Sequence, residues 1–239
     1  MVMIISIEGN IGSGKSTFVS YLSKTSAHTE TVTDTDITVY TICGKSITFV
    51  PEPVSDWKTI CDEDGTPMLN LFYADQKRNA FSFQMMVYIS RLVAIRRAVR
   101  SGVDIVITER CLYTDREVFV KMLHEDKMIR RVDYEIYRRW FEEFATEVQP
   151  DNFFYIAADP VACLGRVHKR SRGGEDSIPL KYLERCHMFH EAWLQGDGIR
   201  ARVHTLDGNA ENTAVDQFGD PHMYAKWKGL MELVIREDA

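Results

Sequence analysis

An α/β fold organised around a parallel sheet is predicted by three features of the sequence. Short apolar runs alternate with longer stretches in which apolar residues return every three or four positions, the pattern of strands alternating with helices. The runs are continuous rather than alternating, as strands buried on both faces require. The first of them leads directly into a glycine-rich turn of fixed spacing. The runs occupy residues 4–7, 47–50, 103–108, 153–157 and 203–206, so five parallel strands flanked by helices are expected. Ligands of such sheets bind at the carboxyl ends of the strands, and the residues that follow each run are therefore the ones to read for chemistry.

After the first strand comes Gly9-Asn10-Ile11-Gly12-Ser13-Gly14-Lys15-Ser16, followed by Thr17 and a helix expected over residues 17–24. This is the phosphate-binding P-loop pattern in its required strand-to-helix context. Its glycines let backbone N–H groups converge on phosphate oxygens, the helix adds its positive end, and Lys15 contributes a mobile charge. The Ser16 hydroxyl is placed to ligate Mg²⁺. A nucleoside triphosphate is the implied ligand.

Residues 37–42 and 46–50 are β-rich and separated by Cys43-Gly44-Lys45, which predicts a hairpin leading into the second core strand. At the end of that strand Pro51-Glu52-Pro53 holds a carboxylate on a stiff, extended backbone, a setting for a group that must meet a hydroxyl in fixed geometry. A helix is expected over 82–101, with Gln84, Val87 and Arg91 on one face and Phe81 and Phe83 nearby. A Gln amide can both donate to and accept from a nucleobase edge, and an Arg fork can do likewise beside an acid such as Asp115.

The third run ends in Glu109-Arg110. A carboxylate there occupies the place where P-loop enzymes keep a metal-orienting acid, and Arg110 is positioned to hold Glu52 or a reacting oxygen. Residues 134–148 have helical spacing, with charges that read as a solvated face. The helix after Asp159-Pro160 carries Arg166 and Arg170, followed by Arg172 and Gly173-Gly174, a set suited to a lid that closes over transferring phosphate. Residues 208–220 read as a surface loop, and a closing helix is expected over about 222–235.

The chain has 239 residues, 45% of them hydrophobic, enough for one core, and a single domain over residues 1–239 is expected. With 29 basic against 35 acidic residues the net charge is −6, which disfavours a nucleic-acid partner held by phosphate neutralisation. Five scattered cysteines without a C-x-x-C pair argue against a disulfide scaffold or structural zinc. His187 and His190 are three apart with no third ligand near. The amino-terminal apolar run reaches Glu8 within eight residues, too short for a signal peptide or a membrane span. A cytosolic protein with no membrane partner is the expectation.

Taken together, these motifs resemble the deoxyribonucleoside kinase family, of the deoxycytidine and deoxyguanosine kinase type. The resemblance runs along nearly the whole chain: Ile7 to Ile11 leading into Gly14-Lys15-Ser16-Thr17, Pro51-Glu52-Pro53-Val54 with Trp57, Phe81-Ser82-Phe83-Gln84, Glu109-Arg110 with Tyr113 and Asp115-Arg116, the stretch from Arg166 to Arg172, and Ile178-Pro179-Leu180 with Tyr182-Leu183. It implies a P-loop nucleoside kinase fold with an arginine-rich lid over about 166–178, and ATP-dependent phosphorylation of a deoxynucleoside 5′-hydroxyl with Mg²⁺. Glu52 then matches the base on that hydroxyl and Arg110 the residue that steadies both. Tyr73 and Glu175 match the positions that hold the sugar 3′-hydroxyl, Gln84 the reader of the base, and Phe119 the ring that stacks on it. Trp57, Phe83 and Val87 belong to the same acceptor site. Arg91 and Asp115 fall where cytosine- and purine-preferring members carry an Arg–Asp pair, which argues against thymidine as the best substrate. Glu109 matches the carboxylate near Mg²⁺, and Arg166, Arg170 and Arg172 match the lid arginines that embrace donor phosphates. Homodimers through a helix pair are usual in the family.

Two departures from the family pattern stand out. The hairpin over residues 37–49 is longer than the link expected there, and residues 212–220 extend the region where the family holds the donor base, which leaves donor preference open. Val87 is bulkier than the alanine of deoxycytidine kinase. A nucleoside monophosphate kinase would need cationic residues where Glu52 stands. A catalytically silent subunit is disfavoured by Lys15, Ser16, Glu52, Glu109 and Arg110 all being intact.

Overall fold

The computed structural model describes residues 2–32, 37–170, 178–196, 198–209 and 222–238. Arg172, Glu175, the 212–220 segment and most of the lid beyond Arg170 lie outside them.

In chain order the first half contains β1 (Met3–Gly9), α1 (Lys15–Thr25), β2 (Ala27–Val32), β3 (Ile37–Ile42), β4 (Lys45–Val50), α2 (Val54–Trp57), α3 (Met68–Ala74) and α4 (Gln76–Arg100). The second half contains β5 (Ile105–Glu109), α5 (Leu112–Thr114), a π-helical turn (Asp115–Val120), α6 (Lys121–Glu125) and α7 (Arg131–Phe144). It closes with a 3₁₀ turn (Ala145–Val148), β6 (Asn152–Ala157), α8 (Pro160–Arg170), α9 (Leu180–Leu194), β7 (Arg202–Asp207) and α10 (His222–Asp238).

The five expected strands are present and parallel, in the order β4-β5-β1-β6-β7. The sheet itself has seven strands, because β3 and β2 continue it antiparallel from β4. The hairpin is thus real, and a further edge strand that no apolar run announces pairs with its outer side.

Alternate residues of the central strands face two apolar layers. Ile4 and Val106 pack with Leu92 and Ile95 of α4 on one side, whereas Ile5, Ile7 and Ile107 pack with Phe18 and Leu22 of α1 and Trp227 and Met231 of α10 on the other. Because β1 has neighbours on both sides that lead away in opposite directions, the strand order reverses next to it and opens a crevice at its carboxyl end. The P-loop, Glu52 and Glu109-Arg110 all lie at that edge.

Helix α4 begins earlier than its apolar spacing indicates, since the Asp75 side chain accepts from the Arg78 backbone N–H at 3.1 Å and caps it. None of the five thiols is paired. Among the described residues no helix is long and apolar enough to cross a membrane.

Candidate active site

Lys15 opens α1, but its side chain folds back so that Nζ donates to the carbonyls of Gly9, at 3.1 Å, and Asn10, at 2.8 Å. Burial pushes the Lys15 ammonium down to about 8, with Arg110 acting in the same direction and Glu109, Glu52 and Glu8 opposing it. Bound phosphates favour the charged form. ATP affinity is therefore expected to be level from pH 7 to about 8 and to fall by up to about tenfold per pH unit above that, with proton uptake on binding. Calorimetry in buffers of different ionisation enthalpy reads both; flat affinity to pH 9.5 contradicts this role for Lys15.

Gly12 adopts φ +80°, and a Cβ there would stand 2.5 Å from the Cys163 carbonyl oxygen at the start of α8. That contact is with backbone, so the loop or the helix must shift. Gly12→Ala is expected to weaken ATP binding by about tenfold or more, as displaced phosphate donors cost at least about 1.4 kcal/mol. Titration of the purified variant with ATP checks it.

Ile11 through Thr17 line a cavity of about 550 Å³. Gly9 and Asn10 serve it indirectly: their carbonyls hold Lys15, and the Asn10 amide turns away to donate to the Leu183 carbonyl at 2.8 Å. The same cavity is lined by Glu52, Trp57, Tyr73, Phe83, Gln84, Val87, Arg91, Glu109, Arg110, Asp115, Phe119, Arg166 and Arg170. Residues scattered from position 11 to 170 thus converge on one chamber. Phe81 instead packs against the core.

Glu52 is the best-supported side chain at its centre. Arg110 Nη1 donates to its Oε1 at 2.7 Å and Arg91 Nη2 to the same oxygen at 3.2 Å, while among the described residues no hydrogen bond reaches Oε2. The carboxylate is 13% exposed, and that exposure is toward the cavity it lines. Burial alone would raise its pKa, but the charges of Arg110, Arg91 and Lys15 outweigh it and hold Glu52 at about 2.

Arg110 reaches this position through its backbone. It sits at φ 62°, a left-handed conformation rare for a side-chain-bearing residue, directly after β5. Its N–H still bonds the Ile7 carbonyl at 3.0 Å, and its guanidinium lies 5.1 Å over the Phe119 ring. Arg91, fully buried on α4, also donates from Nε to Asp115 Oδ2 at 3.0 Å and from Nη1 to the Glu109 carbonyl at 2.8 Å. Burial raises the Asp115 carboxyl to about 6 even though Arg91 pulls it back.

The π-helical turn projects Asp115 and Phe119 into the chamber together, an arrangement for which π-helical segments are often retained. Four described lining residues carry buried polar atoms without a partner: Ser13 Oγ, Gln84 Oε1, Arg110 Nε and Asp115 Oδ1. Native buried polar atoms are nearly always satisfied, so these suit a polar ligand. Near the P-loop, Ser16 Oγ donates to Glu109 Oε1 at 2.7 Å. Two hard oxygen donors so placed fit Mg²⁺, which takes few protein ligands and completes its shell with water and phosphate. On the other side, Arg166 donates to the carbonyls of Gly208, at 2.8 Å, and Ser13, at 3.4 Å.

Several lining residues escape the motif reading. Leu69 and Phe72 of α3, Lys169, and Met223 and Tyr224 of α10 all border the chamber. Lys169 lies within the basic run beside Arg170, a legible signal. The α10 pair comes from a distant helix brought back over α1, which no local pattern marks.

A glycine cradle for phosphate facing a doubly clamped carboxylate across one chamber defines a P-loop phosphotransferase acting on a small hydroxyl acceptor. More narrowly, the chain belongs to the deoxynucleoside kinase family, whose model matches residues 5–222 and whose members are ATP-dependent phosphotransferases. It is 30% identical to deoxycytidine kinase 1 of Xenopus laevis over 82% of this chain and 75% of that protein. Identity is 31% to the mitochondrial deoxyguanosine kinase of Xenopus laevis, over 80% of this chain and 72% of that protein. It is 33% to the mitochondrial thymidine kinase 2 of Homo sapiens, over 80% and 64% respectively.

Proposed function

We propose that the protein transfers the γ-phosphoryl group of ATP to the 5′-hydroxyl of a deoxynucleoside, with deoxycytidine or purine deoxynucleosides favoured, in nucleotide salvage for DNA precursor synthesis. The observation that carries this reading is the state of Glu52: one oxygen immobilised by two guanidinium groups, the other facing the chamber beside the P-loop. The free oxygen accepts the 5′-hydroxyl and aims it in line at phosphorus. As the new P–O bond forms and the bond to the β-phosphate oxygen breaks, the hydroxyl proton passes late to Glu52.

Lys15 and Arg110 stabilise the charge that spreads over the transferring group. Arg166, Arg170 and, from outside the described residues, Arg172 close on the donor phosphates. Ser16 and Glu109 would hold Mg²⁺, which would supply positive charge to neutralise the donor phosphates. Gln84 reads the base edge, Phe119 stacks on it, Trp57, Phe83 and Val87 wall the pocket, and Tyr73 with Glu175 holds the 3′-hydroxyl. The ion pair between Arg91 and Asp115 supplies the polar contact that favours cytosine or a purine. Turnover on deoxycytidine, deoxyadenosine, deoxyguanosine and thymidine with ATP tests this; a clear thymidine preference overturns the base assignment.

A homodimer is part of the same reading. Ile89 and Val93 of α4 and Val132, Ile136 and Trp140 of α7 are all exposed apolar residues at helical spacing, a stripe suited to pairing with a second copy. Trp140→Glu is expected to yield monomers in sedimentation at concentrations where the wild type is dimeric. All five thiols being unpaired suits the cytosol.

A further inference from the structure

A second cavity, of about 630 Å³, lies on the other side of the π-helical turn. Asp115 and Phe119 line the catalytic chamber, while Arg116 and Glu117 line this one, so a single turn forms a wall of each. The volume falls in the range of small-molecule sites.

Two of its cations are fixed in place by aromatic rings. The Arg116 guanidinium lies 4.0 Å over Phe141, and that of Arg185 lies 5.0 Å over Phe189. Both are largely covered, at 33% and 27% side-chain exposure, so little rotamer freedom remains to be lost on binding. Lys121, 6.0 Å from the Phe189 ring, and Arg200 stand exposed at the rim. Among the described residues Arg116 is paired with Glu117, and Arg185 with Asp126, at 2.8 Å, and Glu125, at 3.6 Å. Lys121 and Arg200 are left without an ion pair among the described residues, in a chain whose net charge is −6.

The lining also includes a partly exposed aromatic ring, that of Trp193. Trp193 is steadied edge-on at 5.3 Å by the buried ring of Phe153. An aromatic ring of this kind offers a face on which a base can stack, and rim cations suit phosphate.

We propose that this cavity is a second nucleotide site, which takes a nucleoside phosphate with its base against Trp193 and its phosphates on Lys121 and Arg200. It is separate from the catalytic site proposed above and does not depend on it.

The test is a binding count with β,γ-imido ATP in the presence of saturating deoxycytidine. Wild-type protein is expected to bind two equivalents per chain, and Lys121→Glu/Arg200→Glu only one while keeping the wild-type unfolding temperature. Gly12→Ala is expected to keep this second-site equivalent at wild-type affinity while the other weakens by about tenfold or more. Inorganic tripolyphosphate should occupy the second site at least about tenfold more weakly than the nucleotide, having no base to stack. One equivalent on the wild type, two on the charge-reversed variant, or equal affinity for tripolyphosphate overturns the proposal. If instead Gly12→Ala binds both equivalents with wild-type affinity while the charge-reversed variant keeps one, the P-loop reading fails and the second site stands.

Discussion

Glu52→Gln is expected to lower turnover by about 10²- to 10⁴-fold while changing the deoxynucleoside dissociation constant by less than about tenfold. A carboxylate held at about 2 is too weak a base to ionise a sugar hydroxyl in advance. Its work is to orient the hydroxyl and to receive the proton once bond formation has made that proton acidic. Glutamine keeps the shape and can still hold the hydroxyl, but it cannot take the proton, and it removes the charge that two buried guanidinium groups face. Rapid-quench turnover and equilibrium binding separate the two effects. Turnover equal to wild type contradicts the assignment.

The same substitution has a stability signature. A carboxyl depressed from its ordinary 4.5 to about 2 contributes stability that is present above pH 4.5 and lost as pH falls toward 2. Wild type and Glu52→Gln should therefore differ most near neutrality and converge in acid, as urea unfolding at several pH values would show.

Arg91→Met is expected to cost about 3–5 kcal/mol of stability, because it strands a fully buried Asp115 without its counter-charge. Arg91→Met/Asp115→Asn should recover most of that loss, since neither charge is then left unpaired. The pH dependence follows in sign. Asp115 is raised from its ordinary 3.8 to about 6 by burial, so its contribution is fully present below pH 3.8 and lost as pH rises through about 6. Without Arg91 the carboxyl rises further and ionisation becomes more costly, so the single variant should lose more stability between pH 5 and 8 than the wild type does. Both variants should also lose their preference for deoxycytidine over thymidine. A single variant as stable as the double one across that range contradicts the pairing argument.

How much of this is legible in the sequence depends on whether a feature is local. The P-loop is contiguous, and Glu52 and Glu109-Arg110 stand immediately after apolar runs, so strand ends could be read directly from residue order. Strand β2, Ala27–Val32, has no apolar run to mark it; it exists because β3 offers it an edge. The π-helical turn is equally silent, since its register is set by where Asp115 must reach Arg91.

Glu8 shows the same limit from the other side. It reads as the polar end of an apolar run, yet it is fully buried, accepting from Ser6 at 2.5 Å and from Thr114 at 2.7 Å, the latter more than a hundred residues away. Burial raises its carboxyl above the ordinary range, and the hydrogen bonds to Ser6 and Thr114 pull it back. Likewise the clamp on Glu52 draws one arginine from α4 and one from the end of β5. Motif reading identifies both candidates, and only the fold shows that they share a single oxygen.

The measurement that bears most directly on the account is a structure of the protein with a deoxynucleoside and a non-hydrolysable ATP analogue bound together. The 5′-oxygen should lie about 2.6–3.2 Å from Glu52 Oε2, on the far side of that oxygen from Arg110, and point at the terminal phosphorus above Lys15. A 5′-oxygen farther than one bridging water from Glu52, or a Glu52 side chain withdrawn from the chamber, would contradict it.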